Sequence, residues 1–283
     1  MYTERKNFME ASVEDIQQVQ LNILKKLDEV CEKNELRYYL AFGTCLGAVR
    51  HKGFIPWDDD IDVLMPIEDV DRLLTLQKEF DDKYFIQSRH SDKNFQSIIV
   101  RIRDNNTTCI EKDEEGLDIH HGIYIDIYPY YNSPSSKAGL LINIWRSYIY
   151  RILVAGRVPY NHGSILKTGS KLILAIYCGD KRKKKIKKLE CALRNVKDGK
   201  EILDYFGQDV TLFGAITYDK KWFAEPKKVE FAGHLFSAPT EPEKYLAKRY
   251  GDFMKLPPLE EQKHHHSYVM IDVNKSYEEI LKE

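Results

Sequence analysis

The chain is poor in cysteine, lacks any long apolar run and carries almost no net charge. Its five cysteines, Cys31, Cys45, Cys109, Cys178 and Cys191, are scattered, with no Cys-x-x-Cys pair. An odd, widely spaced set argues against a disulfide framework or a structural zinc site, and it fits a reducing, cytoplasmic setting. The nearest approach to a membrane span, "AGLLINIWRSYIYRILVAG" (138–156), is interrupted by Arg146 and Arg151 and is not expected to cross a bilayer. The opening "MYTERKNFME" has no apolar stretch of signal-peptide type. With 43 lysines and arginines against 44 aspartates and glutamates the formal charge is −1. That balance leaves no global basic field for nucleic acid. Neither an internal repeat nor a low-complexity linker divides the sequence.

What remains is a chain of 283 residues, 43% hydrophobic and 31% charged, long enough to bury a real core. Residues 12–34 predict an amphipathic helix, with Ser12 as cap and Asp15 as its reciprocal partner. "RYYLAF" (37–42) reads as a strand running into Gly43-Thr44 and a short helix, "CLGAVR". A strand is expected at 60–65 and a helix over 67–80 behind Pro66. Further strands are expected at 84–88, 97–103, 107–110 and 122–129. Residues 136–206 read as helical and basic, 229–237 as a strand, and 242–251 as a helix closed by Gly251. Strands mixed with helices over the first 130 residues predict an α/β or α+β sheet domain; the expected class is α+β, a mixed sheet flanked by helices with a helical middle insertion. The expected division is a core over 1–132, a basic insertion over 133–220 and a segment over 221–283 that packs back on the core.

One stretch stands out, "GFIPWDDDIDV" (53–63), which places Asp58, Asp59, Asp60 and Asp62 among apolar neighbours. In an extended strand Asp60 and Asp62 point to the same side. Two carboxylates so placed raise each other's proton affinity unless a cation intervenes, and an all-oxygen pair favours Mg²⁺ or Mn²⁺ over softer ions. A solvated acidic turn is the plainer reading. Calcium fits poorly: Asp58, Asp60 and Asp62 match loop positions one, three and five, but Val63 stands where that loop demands glycine. Gly43-Thr44, between a strand and a helix, is suited to close approach by a phosphate. Asp126, central in "IYIDIYP", predicts a buried carboxylate, costly unless it meets the same cation or a hydrogen-bond partner. Arg101 and Arg103 share one face of a strand and suit bidentate phosphate contacts or salt bridges. Arg50, His51 and Lys52, just past the Gly43-Thr44 helix, are further phosphate candidates. Trp57 and the tyrosines of "YIDIYPYY" can stack on a base or a quaternary ammonium, or simply fill the core. "KRKKKIKK" (181–188) puts seven cations in eight positions. It reads as a solvated face or as a contact to an anionic membrane surface.

The order Gly43-Thr44, Asp60-Ile61-Asp62, Asp126 resembles the nucleotidyltransferase superfamily. More closely, "AFGTCLGAVRHKGFIPWDDDIDVLM" resembles the LicD/fukutin-related family, as do "RIRDNNTT" (101–108), "HGIYIDIYP" (121–129), "FAGHLFSAP" (231–239) and "RYGDFMKLPP" (249–258). The resemblance runs from about residue 20 to 270, without a matching motif in about 133–220. It implies a nucleotidyltransferase-like core and transfer of a phospho-alcohol, phosphocholine above all, from a CDP-activated donor to a sugar hydroxyl of a surface polysaccharide or teichoic acid precursor, with CMP released. The implied roles are Mg²⁺ or Mn²⁺ at Asp60, Asp62 and Asp126, with Asp126 as ligand or base. Gly43, Thr44, Arg50, Lys52, Arg101, Arg103 and His265 would meet the donor phosphates. A lipid-linked acceptor at the inner face of the membrane would suit the basic run 181–188. A transferase that places a nucleoside monophosphate and releases pyrophosphate, and a non-enzymatic glycan-binding module, are the competing readings.

Overall fold

The computed structural model describes residues 8–9, 11–158, 164–197, 199–207, 209–263 and 267–282. In chain order the elements are β1 (Phe8–Met9), α1 (Val13–Lys33), β2 (Tyr39–Leu40), α2 (Phe42–His51), β3 (Asp62–Pro66), α3 (Ile67–Leu73), β4 (Tyr84–Gln87), β5 (Val100–Asp104), β6 (Thr108–Glu111) and β7 (Tyr124–Ser133). Three helices follow, α4 (Lys137–Ala155), α5 (Ser164–Ile176) and α6 (Gly179–Arg194). The chain then forms β8 (Glu201–Leu203), β9 (Val210–Thr211), β10 (Gly214–Ala215), β11 (Tyr218–Asp219), β12 (Lys227–Phe231), β13 (His234–Ala238), α7 (Pro242–Tyr250), β14 (Tyr268–Asp272) and α8 (Tyr277–Ile280). This is the α+β class expected.

A seven-stranded mixed sheet carries the molecule, with β11-β8-β7-β3-β2 in order and β5 and β4 added from β7. Its centre is β7, ten residues long, which pairs β3 in parallel and β5 and β8 antiparallel. β3 is buried at every position, as a strand covered on both faces must be. One covering element is α1. Ser12 caps it in a complete capping box with Asp15, and Ile16, Ile23, Leu24, Leu27, Val30 and Cys31 form the buried stripe that the sequence periodicity predicts.

Four expectations change in detail. The helix expected over 67–80 stops at Leu73, and a short 3₁₀ turn covers Gln77–Phe80. The break lets the Gln77 amide act as a strand partner, donating to the Tyr84 carbonyl at 2.8 Å and accepting from the Ile86 N–H at 2.8 Å. The strand expected at 229–237 is the hairpin β12–β13. Ala232 and Gly233 take φ of 50° and 76° at its tip, the conformation a two-residue hairpin turn requires. The helical reading of 136–206 ends early, because β8 joins the end of β7 and draws 201–203 into the core sheet. The strand expected over 37–42 is only Tyr39–Leu40; Phe42 already opens α2, with Gly43 and Thr44 inside its first turn.

Candidate active site

β3 and β7 run parallel with Asp62 opposite Asp126, and β5 runs antiparallel to β7 with Arg101 opposite Asp126. Side chains opposite one another on neighbouring strands share a face of the sheet. The register therefore sets Asp62, Asp126 and Arg101 in one row. Arg101 Nε donates to Asp126 Oδ1 at 2.8 Å, and its Nη1 donates to Glu114 Oε1 at 2.5 Å. Its guanidinium lies 3.7 Å from the Tyr124 ring centre. Among the described residues no such cation is bonded to Asp62. Asp62 is buried, and its Oδ1 makes no hydrogen bond. Burial pushes its proton affinity well above the ordinary carboxylate value, and the neighbouring charges of Asp60, Asp126 and Asp58 push it further.

The loop that brings in the other aspartates is tied down from several sides. Gln17 and Gln20 of α1 donate to the carbonyls of Asp58 and Asp59 at 2.7 and 2.9 Å. Asp59 is buried and accepts from the Tyr268 hydroxyl at 2.8 Å, so its carboxylate ties the loop to β14. Asp60 lies just ahead of β3 rather than in it, and still faces Asp62 closely enough to be the largest charge acting on it. Asp58 lies against the start of α2: a Cβ on Gly43 would come within 2.6 Å of its Oδ2. Glycine is needed there for close approach to a carboxylate. The Thr44 hydroxyl accepts from the Asp62 N–H at 2.8 Å, so this threonine positions Asp62. Phe42, ahead of them, holds a φ of 46°, strained for a bulky residue. Its N–H donates to the Tyr245 hydroxyl at 3.1 Å.

The expected phosphate ligands separate. Gly43, Thr44 and Arg101 lie around the aspartates. Arg103 does not face that row openly: it is fully buried, donating to Gln87, to the Gly122 carbonyl and to Glu114. With those bonds it serves as the buried counter-charge of Glu114. Burial alone would raise the Glu114 carboxyl, and Arg101 and Arg103 together hold it below its ordinary value. Arg50 donates to the Phe253 carbonyl at 2.9 Å and to His51, fastening the segment after α7. Lys52 is exposed and caps α2 in a left-handed conformation. His265, with its neighbours His264 and His266, lies outside the described residues. Of the candidate stacking rings, Tyr124, Tyr130 and Tyr131 are buried in the core, and half-buried Trp57 packs against it.

Two groups that went unassigned in the sequence belong here, together with Tyr128, one of the candidate stacking rings. Arg249, at the end of α7, has its guanidinium 4.4 Å above the Phe42 ring and pairs with Asp209. Its Nε makes no hydrogen bond, and its charge acts on Asp62 and on Asp204. Asp204 is buried with an unpartnered Oδ2. Burial lifts its carboxyl to about 7, against the N–H groups of Phe206 and Gly207. The Tyr128 ring meets the Phe42 ring edge-on at 5.2 Å; burial raises its hydroxyl, followed by the charges of Asp62, Asp126 and Asp204. Arg249 opens "RYGDFMKLPP", one of the stretches carrying the family resemblance, which was the available signal. Asp204 lies beyond β8, where no motif pointed.

Can these residues hold a divalent cation? Among the described residues, no three acidic, histidine or cysteine side chains gather into a ready cage. Mg²⁺ does not require one, since it keeps waters and substrate phosphate oxygens among its ligands. A buried carboxylate oxygen without a partner, pressed by three other aspartates, is what a hard cation would satisfy. Asp60 and Asp62 fit that role. Asp126 differs, because Arg101 already supplies a cation to one of its oxygens.

A strand-borne carboxylate pair on a mixed sheet, beside a glycine-bearing helix start, is the arrangement expected of a nucleotidyltransferase-type domain. Residues 35–148 match the family described as LicD/FKTN/FKRP, nucleotidyltransferase domain. Over that span the chain is similar to the LicD family. It is 28% identical over 267 residues to the lipopolysaccharide cholinephosphotransferase LicD of Haemophilus influenzae, a match covering 88% of this chain and 94% of that one. It is also 28% identical over 107 residues to the mouse ribitol 5-phosphate transferase FKRP, covering 36% of this chain and 18% of that one. An uncharacterized Rickettsia prowazekii protein is 41% identical over 59 residues, covering 21% of this chain and 22% of that one. Among the described residues no helix is long and apolar enough to cross a membrane.

Proposed function

We propose that this protein transfers a phospho-alcohol, phosphocholine first among the choices, from a CDP-activated donor to a sugar hydroxyl of a cell-surface glycan precursor, releasing CMP on the cytoplasmic side. The observation that carries this reading is the register of Asp62 against Asp126, with an unpartnered, buried oxygen on Asp62. The names of the Haemophilus and mouse relatives, a cholinephosphotransferase and a ribitol 5-phosphate transferase, support the substrate class.

Asp60 and Asp62 would hold Mg²⁺ or Mn²⁺, which when bound neutralises charge on the donor diphosphate. Phosphoryl transfer leaves a protein little covalent chemistry to do, so positioning and charge matter most. Thr44 fixes the backbone of Asp62, and α1 fixes the loop ahead of it. Asp126, oriented by Arg101, takes the proton of the attacking sugar hydroxyl. Arg249, held over Phe42 with a free Nε, is placed to meet a donor phosphate oxygen. The test is CMP release from CDP-choline, CDP-ribitol and CDP-glycerol, with Mg²⁺ and an acceptor extract. Metal-dependent CMP from one donor, lost in Asp62→Asn, is expected. Pyrophosphate release from a nucleoside triphosphate instead would make the protein a nucleotidyltransferase, and no turnover of either class would reduce it to a binding module.

A further inference from the structure

Charge in this chain is segregated. Residues 133–189 hold thirteen lysines and arginines and one acid, Asp180; by difference from the chain totals of 43 and 44, the remainder holds 30 basic and 43 acidic residues. A near-neutral protein thus carries one strongly cationic module, built from α4, α5 and α6.

The same module exposes apolar side chains that the fold does not use. α4 buries Asn143, Ile144, Ser147, Tyr150, Leu153 and Val154, and turns Leu141, Ile142 and Trp145 outward. α5 packs Ile173 and Leu174, and just past its end Tyr177, against the core and leaves Leu172 and Ile176, one turn apart, in solvent. These five outward side chains are 40% to 62% exposed. α6 packs along α4 and meets the residue that follows α5. Arg182 Nε donates to the Leu153 carbonyl at 2.6 Å, and the Lys185 ammonium lies 5.1 Å from the Tyr177 ring centre. Arg194, at the end of α6, pairs with Asp71 and Glu190, whereas Lys181, Lys183, Lys184, Lys187 and Lys188 are exposed and, among the described residues, form no ion pair. A cavity of about 770 Å³ opens at the base of α6, lined in part by Arg89, His90, Lys183 and Lys187, with Glu190 already paired to Arg89.

We propose that α4, α5 and α6 form a docking surface for an anionic lipid bilayer, with Trp145 and the aliphatic side chains entering the headgroup boundary and the α6 lysines over anionic headgroups. Exposed aliphatic and indole groups beside a dense, unneutralised cationic face are the signature of a helix that lies in a membrane interface. No described helix can span, so the contact is peripheral. The inference stands apart from the transfer reaction, because none of these residues touches the aspartate row.

The test is co-sedimentation of the full chain with vesicles of phosphatidylcholine alone or mixed with phosphatidylglycerol. Binding to the mixed vesicles, weakened by salt, is expected. Trp145→Ala should lower the partition about tenfold through lost apolar burial. Lys184→Ala with Lys187→Ala should lower it about thirtyfold, at about fivefold per lysine. CMP release from soluble substrates should not change in either variant. Equal binding to both vesicle types, or none to either, overturns the proposal. So does a concentration-dependent dimer in sedimentation velocity that Trp145→Ala abolishes, because the face would then belong to a second copy.

Discussion

Asp62→Asn should stabilise this protein in the absence of metal while abolishing its activity. The perturbation is isosteric, and the backbone N–H that bonds Thr44 is unchanged. What it removes is a buried charge with one orphan oxygen, set among Asp60, Asp126 and Asp58. The sign follows from the direction of the shift. A carboxyl whose folded proton affinity is raised favours folding fully only below its unfolded pKa, and that contribution is lost as pH rises through the folded value. In chelator at neutral pH the wild type therefore carries a penalty that the variant lacks. Relief of a strained active-site group typically contributes about 0.5–2 kcal/mol, and about 1 kcal/mol moves the midpoint of a chain of this size by roughly 2–4 °C. The gap should close toward pH 4 and widen above it. Added Mg²⁺ should then reverse the order: at about one hundred times its dissociation constant it stabilises a binding protein by about 2.7 kcal/mol, and the variant should gain far less. Thermal unfolding with and without Mg²⁺, across pH, reads all of this. A variant no more stable than wild type in chelator, or an equal Mg²⁺ shift in both, would refute the reasoning.

Arg101→Gln removes a cation bonded to both Asp126 and Glu114. Because Arg103 still pairs with Glu114, the loss should fall near the lower end for a broken buried pair, about 3 kcal/mol by urea unfolding; a loss under about 1 kcal/mol would mean the pair behaves as a surface one. Arg249→Gln should lower kcat/KM by about tenfold to a hundredfold, matching one charge-assisted contact of about 1.5–3 kcal/mol, and an unchanged value removes Arg249 from the donor site. The protein should lose stability on mild acidification through His120, whose pKa is lowered to about 3 by burial and then by Arg103. Its Nδ1 accepts from the Gly122 N–H at 3.0 Å, so the neutral ring is the bound form. With the folded value below the unfolded one, stability is present above about pH 6.5 and falls by about 2 kcal/mol by pH 5. His120→Gln should flatten that slope in urea titrations at several pH values.

The parts of the fold that were legible in the sequence are those set by local periodicity. α1 was visible because a capping box and a 3.6-residue apolar stripe agree over twenty-one residues. The elements misread owe their form to partners distant in sequence. The helix behind Pro66 is cut short to let Gln77 serve the edge of β4. β8 is three residues long and exists because β7 offers it an edge. β14, not anticipated at all, is fixed by β6 on one side and β1 on the other. No window of neighbouring residues contains that information.

The site divides along the same line. The aspartates announce themselves, because four carboxylates amid apolar residues are locally improbable, and their convergence with Asp126 follows once β3 and β7 pair in parallel. The arginines do not, because composition cannot distinguish a guanidinium that meets substrate from one that neutralises a neighbour. Arg101 and Arg103 share a strand face as expected, yet Glu114, from the loop after β6, consumes both. That acid makes Arg101 a brace for Asp126 and leaves the donor phosphates to be met from elsewhere. Arg249 reaches the aspartates from a helix nearly two hundred residues away, stacked on Phe42 at the strained start of α2. The strain and the arginine then have one explanation: φ of 46° at Phe42 presents its ring as the platform that holds Arg249 beside Asp62. A Phe42→Ala protein that folds but loses donor affinity as far as Arg249→Gln does, with no further loss in the double variant, would show the two acting as one unit; additive losses would separate them.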